Sequence, residues 1–503
     1  MKINKLTYRS LIIIVFVILN AGVLYGIGQV LAFLNTGADR SQILHLDLTR
    51  EQYYTPEITW ESIENPGRPL EPFNQTKIEQ DYLDAWYVRN TAFMSYDQTA
   101  IEDHYTQNAR IKIYESLQEN IDKQIKIENT TLTHDLSLEM YSADGTLAVL
   151  TDRNVTSYQR VFQEEQLQYE GYTLSDYRVV LLLEDGVWRV RHIEKIKTGQ
   201  VSNISSKKIK LSTTIEGMNY YPQDSPWNTF GADFDSTIIR EDFKIIKDLR
   251  LNTIRIFIGY EDFGGPTVSQ EKLDKLQQLL DEASQANLQV IITLFDFYGD
   301  YRVSDWTRTQ KHLSTIVNVI KDHPALYAWD LKNEADLDFE TRGASLVTAW
   351  LQQMTQSLRS IDPDHPITIG WSSPEAALTL EKEVDYVSFH YYKDLTDLSK
   401  VFTELQQQTD KPIVLEEIGL SSYRGLWNPF GYSEKDQTAF YTELLTIQKN
   451  NNISFLSWTL YDFKEIPQQV AGRYPWRRNK QLYFGLIDTN GEKEDAYQIV
   501  KDR

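Results

Sequence analysis

Leu326–Ala335, LYAWDLKNEA, starts as an apolar run with the look of a buried strand and ends in Asn333-Glu334. A strand covered on both faces reads as a continuous apolar run, the signature of parallel sheets wrapped by helices. The same kind of run recurs from Ser202–Lys210 (SNISSKKIK, a polar joint) to the end of the chain. The runs are TTIEGMNYY, NTIRIFI, QVIITLF, LYAWDLKN, PITIGW, DYVSFHYY, PIVLEEIG and ISFLSWTLY. Amphipathic stretches such as REDFKIIKDLR, QEKLDKLQQLLDEASQ and VTAWLQQMTQSLRSI lie between them at helical spacing. Eight β/α repeats predict an α/β fold, a (β/α)8 TIM barrel over residues 211–503. An open doubly wound sheet is the alternative, but GMNYYPQD after the first strand is no glycine-rich phosphate loop.

In a parallel barrel the chemistry gathers at the carboxyl ends of the strands. Strand 2 brings Arg255 there, strand 4 brings Asn333 and Glu334, and strand 6 brings His390, Tyr391 and Tyr392. Strand 7 brings Glu416-Glu417 and strand 8 brings Trp458. The end of an apolar strand is a costly place for a charge, so its recurrence on several strands points to a site. Carboxylates on strands 4 and 7 face each other across a barrel mouth. Glycosidic hydrolysis needs such a pair, one acid to protonate the leaving oxygen and one carboxylate opposite. Asn333 is placed to hydrogen-bond a sugar hydroxyl, and Arg255 and His390 to hold the strand-7 carboxylate charged. Alternation along a strand predicts that only one of Glu416 and Glu417 points inward. Trp329 and Trp350 read as core, whereas Trp227, Trp306, Trp371, Trp427, Trp458 and Trp476 lie in or beside strand-end loops as candidate sugar platforms.

The N-terminal part is organised differently. Lys2, Lys5 and Arg9 precede Leu11–Leu34, which carries no charge over 24 residues and is long enough to span a ~30 Å hydrocarbon core. The expectation is a cytoplasmic tail (1–10), a transmembrane helix (11–34) and a body outside the cytoplasmic membrane. Residues 35–75, with ENPGRPLEP, read as a linker or stalk. Residues 76–201 begin at helical spacing and pass to a period of two, with a hairpin signal at Glu184-Asp185-Gly186. They predict a small α+β domain, similar in element order to nuclear transport factor 2-like domains, with His104, Tyr105 and His134 as candidate pocket residues.

Net charge is −21 and there is no cysteine among 503 residues. That excludes a nucleic-acid partner, disulfides, a thiolate zinc site and a thiol nucleophile. Eight scattered histidines form no metal motif, so no metal and no cofactor is expected.

The set of Arg255 in NTIRIF, Asn333-Glu334 after AWDLK, His390-Tyr391-Tyr392 after DYVSF, Glu417 in KPIVLEEIG and Trp458 in FLSWTLYD resembles glycoside hydrolase family 5 and, more broadly, the clan A retaining glycosidases. The resemblance implies Glu334 as acid/base, Glu417 as nucleophile, and Arg255, Asn333, His390 and Tyr392 around the reacting sugar, with Trp458 as its platform. The chain departs from the family at Ile418, where an aromatic is usual, and in TLFDFYGDY, which has no histidine. The expected function is a membrane-anchored retaining endo-β-glycosidase of a glucan- or mannan-type polysaccharide. A non-catalytic glycan-binding protein of a surface polysaccharide system and a transglycosylase are the alternatives.

Overall fold

The structure, a computed structural model, describes residues 14–27, 54–199, 209–472 and 474–503. Two compact units divide the chain, residues 1–52 and 53–503. In the first, residues 14–27 form a helix with exposed apolar side chains. The remainder of the expected transmembrane segment lies outside the described residues. Among the described residues no helix is long and apolar enough to cross a membrane.

The second unit opens with β1 (Glu57–Ser62), followed by α1 (Pro72–Ser95) and α2 (Gln107–Asp122). Four long strands follow, β2 (Ile125–Tyr141), β3 (Leu147–Gln163), β4 (Gln166–Glu184) and β5 (Val187–Gly199), in one sheet ordered β1-β2-β3-β4-β5. Part of the stretch expected as a linker is therefore an edge strand. EITWES pairs in parallel with β2 from Glu57 opposite Thr133 onward, a distant partner that no local pattern announces. The β4–β5 turn has φ of 53° at Asp185 and 82° at Gly186, the double left-handed geometry of a tight hairpin. Tyr105 and His134 are core residues instead of pocket walls: the Tyr105 hydroxyl donates to the Ala85 carbonyl, and His134 sits between Thr131 and Asp152 at 2.7 Å from each.

The barrel strands are β6 (Glu216–Asn219), β7 (Thr253–Gly259), β8 (Gln289–Asp296), β9 (Leu326–Asn333), β10 (Ile367–Trp371), β11 (Val387–Tyr391), β12 (Ile413–Ile418) and β13 (Ser454–Ser457). All neighbouring pairs are parallel and the sheet closes on itself. Helices such as Ser236–Asp248, Gln270–Gln285, Trp306–Ile320 and Ala344–Ile361 cover the outside. Ile254, Ile256, Val290, Ile292, Trp329 and Leu331 pack against these helices in one core. The residues that alternate with them face inward. Low in the barrel these are apolar, including Ile215, Ile291, Tyr386, Val414 and Leu456. Higher up they turn polar: Arg255, Thr293, Asp330, Ser388 and Glu416, all fully buried.

The same alternation corrects two sugar-platform candidates. Trp371 ends β10 on its outer face and Trp306 begins a helix, so both are core residues, while Trp329 and Trp350 are buried as expected. Trp306 also stacks on Tyr158 of β3, ring centroids 4.3 Å apart, and Thr55 exchanges two 3.1 Å hydrogen bonds with Thr307. Leu132 and Tyr158 thus belong to the barrel's own apolar core.

Candidate active site

Arg255 organises the barrel mouth. Its guanidinium is fully buried and spends all its donor directions on fixed acceptors. Nε and Nη2 donate to Asp330 Oδ2 at 3.2 and 2.6 Å, and Nη2 also reaches Asn333 Oδ1 at 2.8 Å. Nη1 donates to Asn219 Oδ1 at 3.1 Å and to Glu417 Oε1 at 2.8 Å. A planar five-donor fork suits a multi-acceptor cradle in a way that lysine cannot match. Phe257, two residues along the strand, lies under the guanidinium at 4.6 Å.

Asp330 anchors this arrangement from below. Besides Arg255 it accepts from Thr293 Oγ1 at 2.7 Å and from the Gly370 amide at 2.9 Å. Gly370 has to be glycine at this point: a Cβ there would stand 2.7 Å from Glu416 Oε2 and 3.0 Å from Arg255 Nη2. Gly370→Ala is accordingly expected to lower stability by about 1–3 kcal/mol through forced displacement of the cluster. Denaturant unfolding of the full chain measures it, and an unchanged midpoint contradicts the packing described.

Glu416 and Glu417 both reach Arg255, contrary to the expected alternation. The pairing register of β12 slips between Leu415 and Ile418, which turns two successive side chains toward the axis at different heights. Glu416 lies lower, where it accepts from Ser388 Oγ at 2.8 Å and stands 3.7 Å from Arg255 Nε. Burial pushes its carboxyl up to about 7, against the pull of Arg255 and with the push of Asp330. Glu417 lies at the mouth, with Tyr392 donating to its Oε2 at 2.8 Å.

Across the mouth, Glu334 follows β9 with φ 49° and ψ 45°, a left-handed conformation that costs a non-glycine residue about 1–2 kcal/mol. Such strain persists where the surroundings dictate it, and it collects at functional sites. His390 bridges the two carboxylates: its Nδ1 is 2.9 Å from Glu334 Oε1 and 3.4 Å from Glu417 Oε2. Burial lowers the imidazole's proton affinity, but the Glu417 charge and the Glu334 bond and charge outweigh it and raise the net value. Burial likewise raises Glu334, yet the hydrogen bond and charge of His390, with Arg255 and Lys332, hold it below the usual carboxylate range. The two therefore share one proton, which rests mainly on the ring. Tyr391 points outward, its hydroxyl on the Asp394 carbonyl at 2.6 Å, so Tyr392 takes the inward role.

The ligand atoms of Glu334, His390 and Glu417 all lie within 4.8 Å of one another. By distance the trio also suits a metal ion, but Arg255 and Tyr392 already occupy both Glu417 oxygens, and the guanidinium puts a fixed positive charge beside them. Trp458 is the outer wall, edge-on to Tyr221 and Phe257 at 5.8 and 6.2 Å.

The structure brings Arg255, Asn333, Glu334, His390, Tyr392, Glu417 and Trp458 together at the mouth, whereas Tyr391 points outward and Trp306 and Trp371 lie in the core. Asn219, Asp330 and Glu416, the buried layer beneath, were not singled out for a role. Asp330 and Glu416 each carry a signal, as an acid inside an apolar run. At the end of β8, where relatives of the resembled family often carry histidine, Asp296 is buried and pushed up to about 7 by that burial, and Phe297 stands exposed at φ 58°.

Among curated proteins, the chain is 24% identical over 230 residues to the putative mannan endo-1,4-beta-mannosidase 4 of Arabidopsis thaliana, covering 36% of this chain and 53% of the relative. It is 26% identical over 223 residues to the mannan endo-1,4-beta-mannosidase 5 of Solanum lycopersicum, covering 35% and 51%. The chain spans about half the length of these relatives. Similar solved structures include an exo-beta-1,4-mannosidase from Opitutaceae bacterium strain TAV5, with TM-score 0.47, 18% identity and coverage of 60% of this chain and 62% of that one. Another is a GH5_18 protein from Bifidobacterium longum subsp. infantis, with TM-score 0.45, 14% identity and coverage of 57% and 78%. The family profile "Cellulase (glycosyl hydrolase family 5)" matches residues 213–464, half of the 503-residue chain. On the barrel and on that match, the chain belongs to glycosyl hydrolase family 5.

Proposed function

We propose that this protein is a retaining β-glycosidase of a mannan- or glucan-type saccharide, working by double displacement with Glu417 as nucleophile and Glu334 as acid/base. The observation that carries the reading is that one oxygen of each carboxylate lies within 4.8 Å of the other, with His390 between them. Retaining enzymes hold theirs about 5–5.5 Å apart, whereas inversion requires about 6.5–9.5 Å to admit a water. The mannan endo-1,4-beta-mannosidase names among the relatives favour the mannan class.

In the first step Glu417 attacks the anomeric carbon, and the bond to the leaving oxygen breaks as Glu334 gives that oxygen its proton. The proton comes along the Glu334–His390 hydrogen bond as the sugar displaces water from the more exposed carboxylate. Arg255 and Tyr392, one on each oxygen of Glu417, keep it aimed until the glycosyl ester forms. In the second step Glu334 takes a proton from water, the water oxygen bonds to the anomeric carbon, and the ester bond to Glu417 breaks. Asn333, whose Oδ1 is fixed by Arg255, presents its amide to a sugar hydroxyl.

Product stereochemistry tests this directly. Proton NMR of the first product released from a β-linked substrate is expected to show the β anomer; the α anomer sinks the mechanism. The same substrate gives the pH dependence. The shared proton leaves as pH rises, so kcat/KM falls on the alkaline side with an apparent pKa above the usual histidine value of ~6.5, a property of the pair and not of one residue.

Two further parts belong to the proposal. The charge-free run at 11–34 behind Lys2, Lys5 and Arg9 supports a membrane anchor with the barrel outside the cytoplasm. The helices and strands of 72–199 support a nuclear transport factor 2-like unit that braces the barrel and takes no part in chemistry.

A further inference from the structure

The loop that follows β12 ends in a projecting tip, residues 424–432, RGLWNPFGY. It turns back on itself through two backbone bonds, the Gly425 amide to the Asn428 carbonyl at 3.2 Å and the Asn428 amide to the Gly425 carbonyl at 2.9 Å. Arg424 Nε spans the loop to the Gly431 carbonyl at 2.8 Å. A Cβ at Gly431 would run into the Tyr423 carbonyl, so the return strand of the loop needs glycine there. Beneath the tip, Tyr423 stacks on Tyr483 with centroids 5.3 Å apart, and the Ser422 amide donates to the Tyr483 carbonyl at 2.8 Å. The loop is therefore braced against the stretch after β13, and its outward side chains are held outward.

Those side chains are apolar to an unusual degree. Leu426 is 85% exposed and Phe430 94%, and the rings of Trp427, Tyr432 and Trp476 beside them are half-exposed. A single open apolar side chain is ordinary, but a contiguous group at one projection marks a surface that meets a partner. A sugar platform offers one ring face with hydrogen-bonding groups alongside. Leu426 has no face to stack, and Phe430 is open on nearly every side, so these two side chains are not explained by a saccharide.

Charge decides between partners. The short helix Pro475–Gln481 brings Lys480 into the same hollow as Trp427, Phe430 and Tyr432, with Arg477 one turn earlier. Both cations are exposed, and neither has an acidic partner among the described residues, although the chain carries a net charge of −21. Projecting Leu and Phe, Trp and Tyr rings behind them, and open Lys and Arg at the edge are the composition of a segment that seats at a lipid–water boundary, the cations facing anionic headgroups.

We propose that this tip docks into the surface of an anionic phospholipid bilayer, Leu426 and Phe430 entering the boundary between headgroups and acyl chains while Arg477 and Lys480 face lipid phosphates. The contact is additional to the anchor proposed for 11–34, so its test has to be local. The chain has no cysteine, and Pro429→Cys in the full-length protein therefore takes one environment-sensitive fluorophore at the tip. Ile196→Cys, at a lone exposed apolar position of β5, is the control. With vesicles of equimolar phosphatidylglycerol and phosphatidylcholine, the probe at 429 is expected to shift to the blue and to be quenched by brominated acyl chains, while the probe at 196 keeps its aqueous emission. Leu426→Ser with Phe430→Ser lowers that lipid response by about 10-fold or more, and Phe430→Trp keeps it. Unfolding midpoints stay unchanged, because both side chains are already open in the folded protein. Arg477→Gln with Lys480→Gln, or vesicles of phosphatidylcholine alone, weakens the response as well. Protein that floats with the vesicles while the probe at 429 stays aqueous overturns the tip and leaves the anchor standing. Release of the full chain by the two serine changes supports the tip and overturns the anchor. A response to β-1,4-manno-oligosaccharides, or to rising protein concentration, in place of lipid assigns the loop to substrate or to a second copy and overturns the proposal.

Discussion

Glu417→Ala is expected to lower kcat on a β-linked substrate by at least ~10³-fold, with the fold intact. The carboxylate supplies the bond that replaces the glycosidic one, and no neighbour can stand in for it. Glu334 is committed to His390, and Glu416 sits lower, against Ser388. The vacated space at the mouth has a definite consequence: azide or formate, added with an activated aryl β-glycoside, enters between Arg255 and the sugar and restores turnover. The glycosyl azide so formed has the α configuration, one displacement having replaced two. Glu416→Ala gains no such rescue, because its carboxyl lies beneath the mouth. An azide effect at Glu416 and none at Glu417 would exchange the two assignments.

Arg255→Met is expected to cost more in stability than any other single change at the site, about 3–5 kcal/mol. Replacing the guanidinium removes five hydrogen bonds at once. It also leaves the buried carboxyl groups of Asp330, Glu416 and Glu417 without the cation that all three face. Lys in its place keeps one charge but cannot span Asp330, Asn219, Asn333 and Glu417 together, so activity falls there by ~10²-fold or more while part of the stability returns. Thermal or urea unfolding at several pH values reads the effect. The loss shrinks as pH falls below about 7, where Glu416 takes up its proton and needs the cation less, and a pH-independent loss would place the cost in packing alone.

Much of this was legible in the sequence because two simple constraints act locally. Strands buried on both faces must be apolar throughout, which made eight of them countable. A charge at the end of such a strand needs a reason, which picked out Arg255, Glu334 and Glu417 together. The layer beneath was hidden since its logic is across strands: Asp330 acquires meaning only from Thr293, Gly370 and Arg255 on three other strands. Trp306 and Trp371 were misread for a related reason. Nearness to a strand end does not reveal which face a ring takes, and both take the helix side. The slip in β12 that turns Glu416 and Glu417 to the same side has no composition of its own. Strand β1 was hidden by its short length and its distant partner in β2.

The stacking of Tyr158 on Trp306 also bears on where this molecule can be cut. The match to the family covers only 213–464, and it is tempting to regard what precedes it as an appendage. Yet the barrel's apolar core runs without a break into Leu132 and Tyr158. Excising residues before 211 would strip an indole that is otherwise wholly covered and expose a greasy face. The inherited unit and the cooperative unit therefore have different borders. In this chain the barrel has made its neighbour part of its own interior, and the two are expected to melt in one transition.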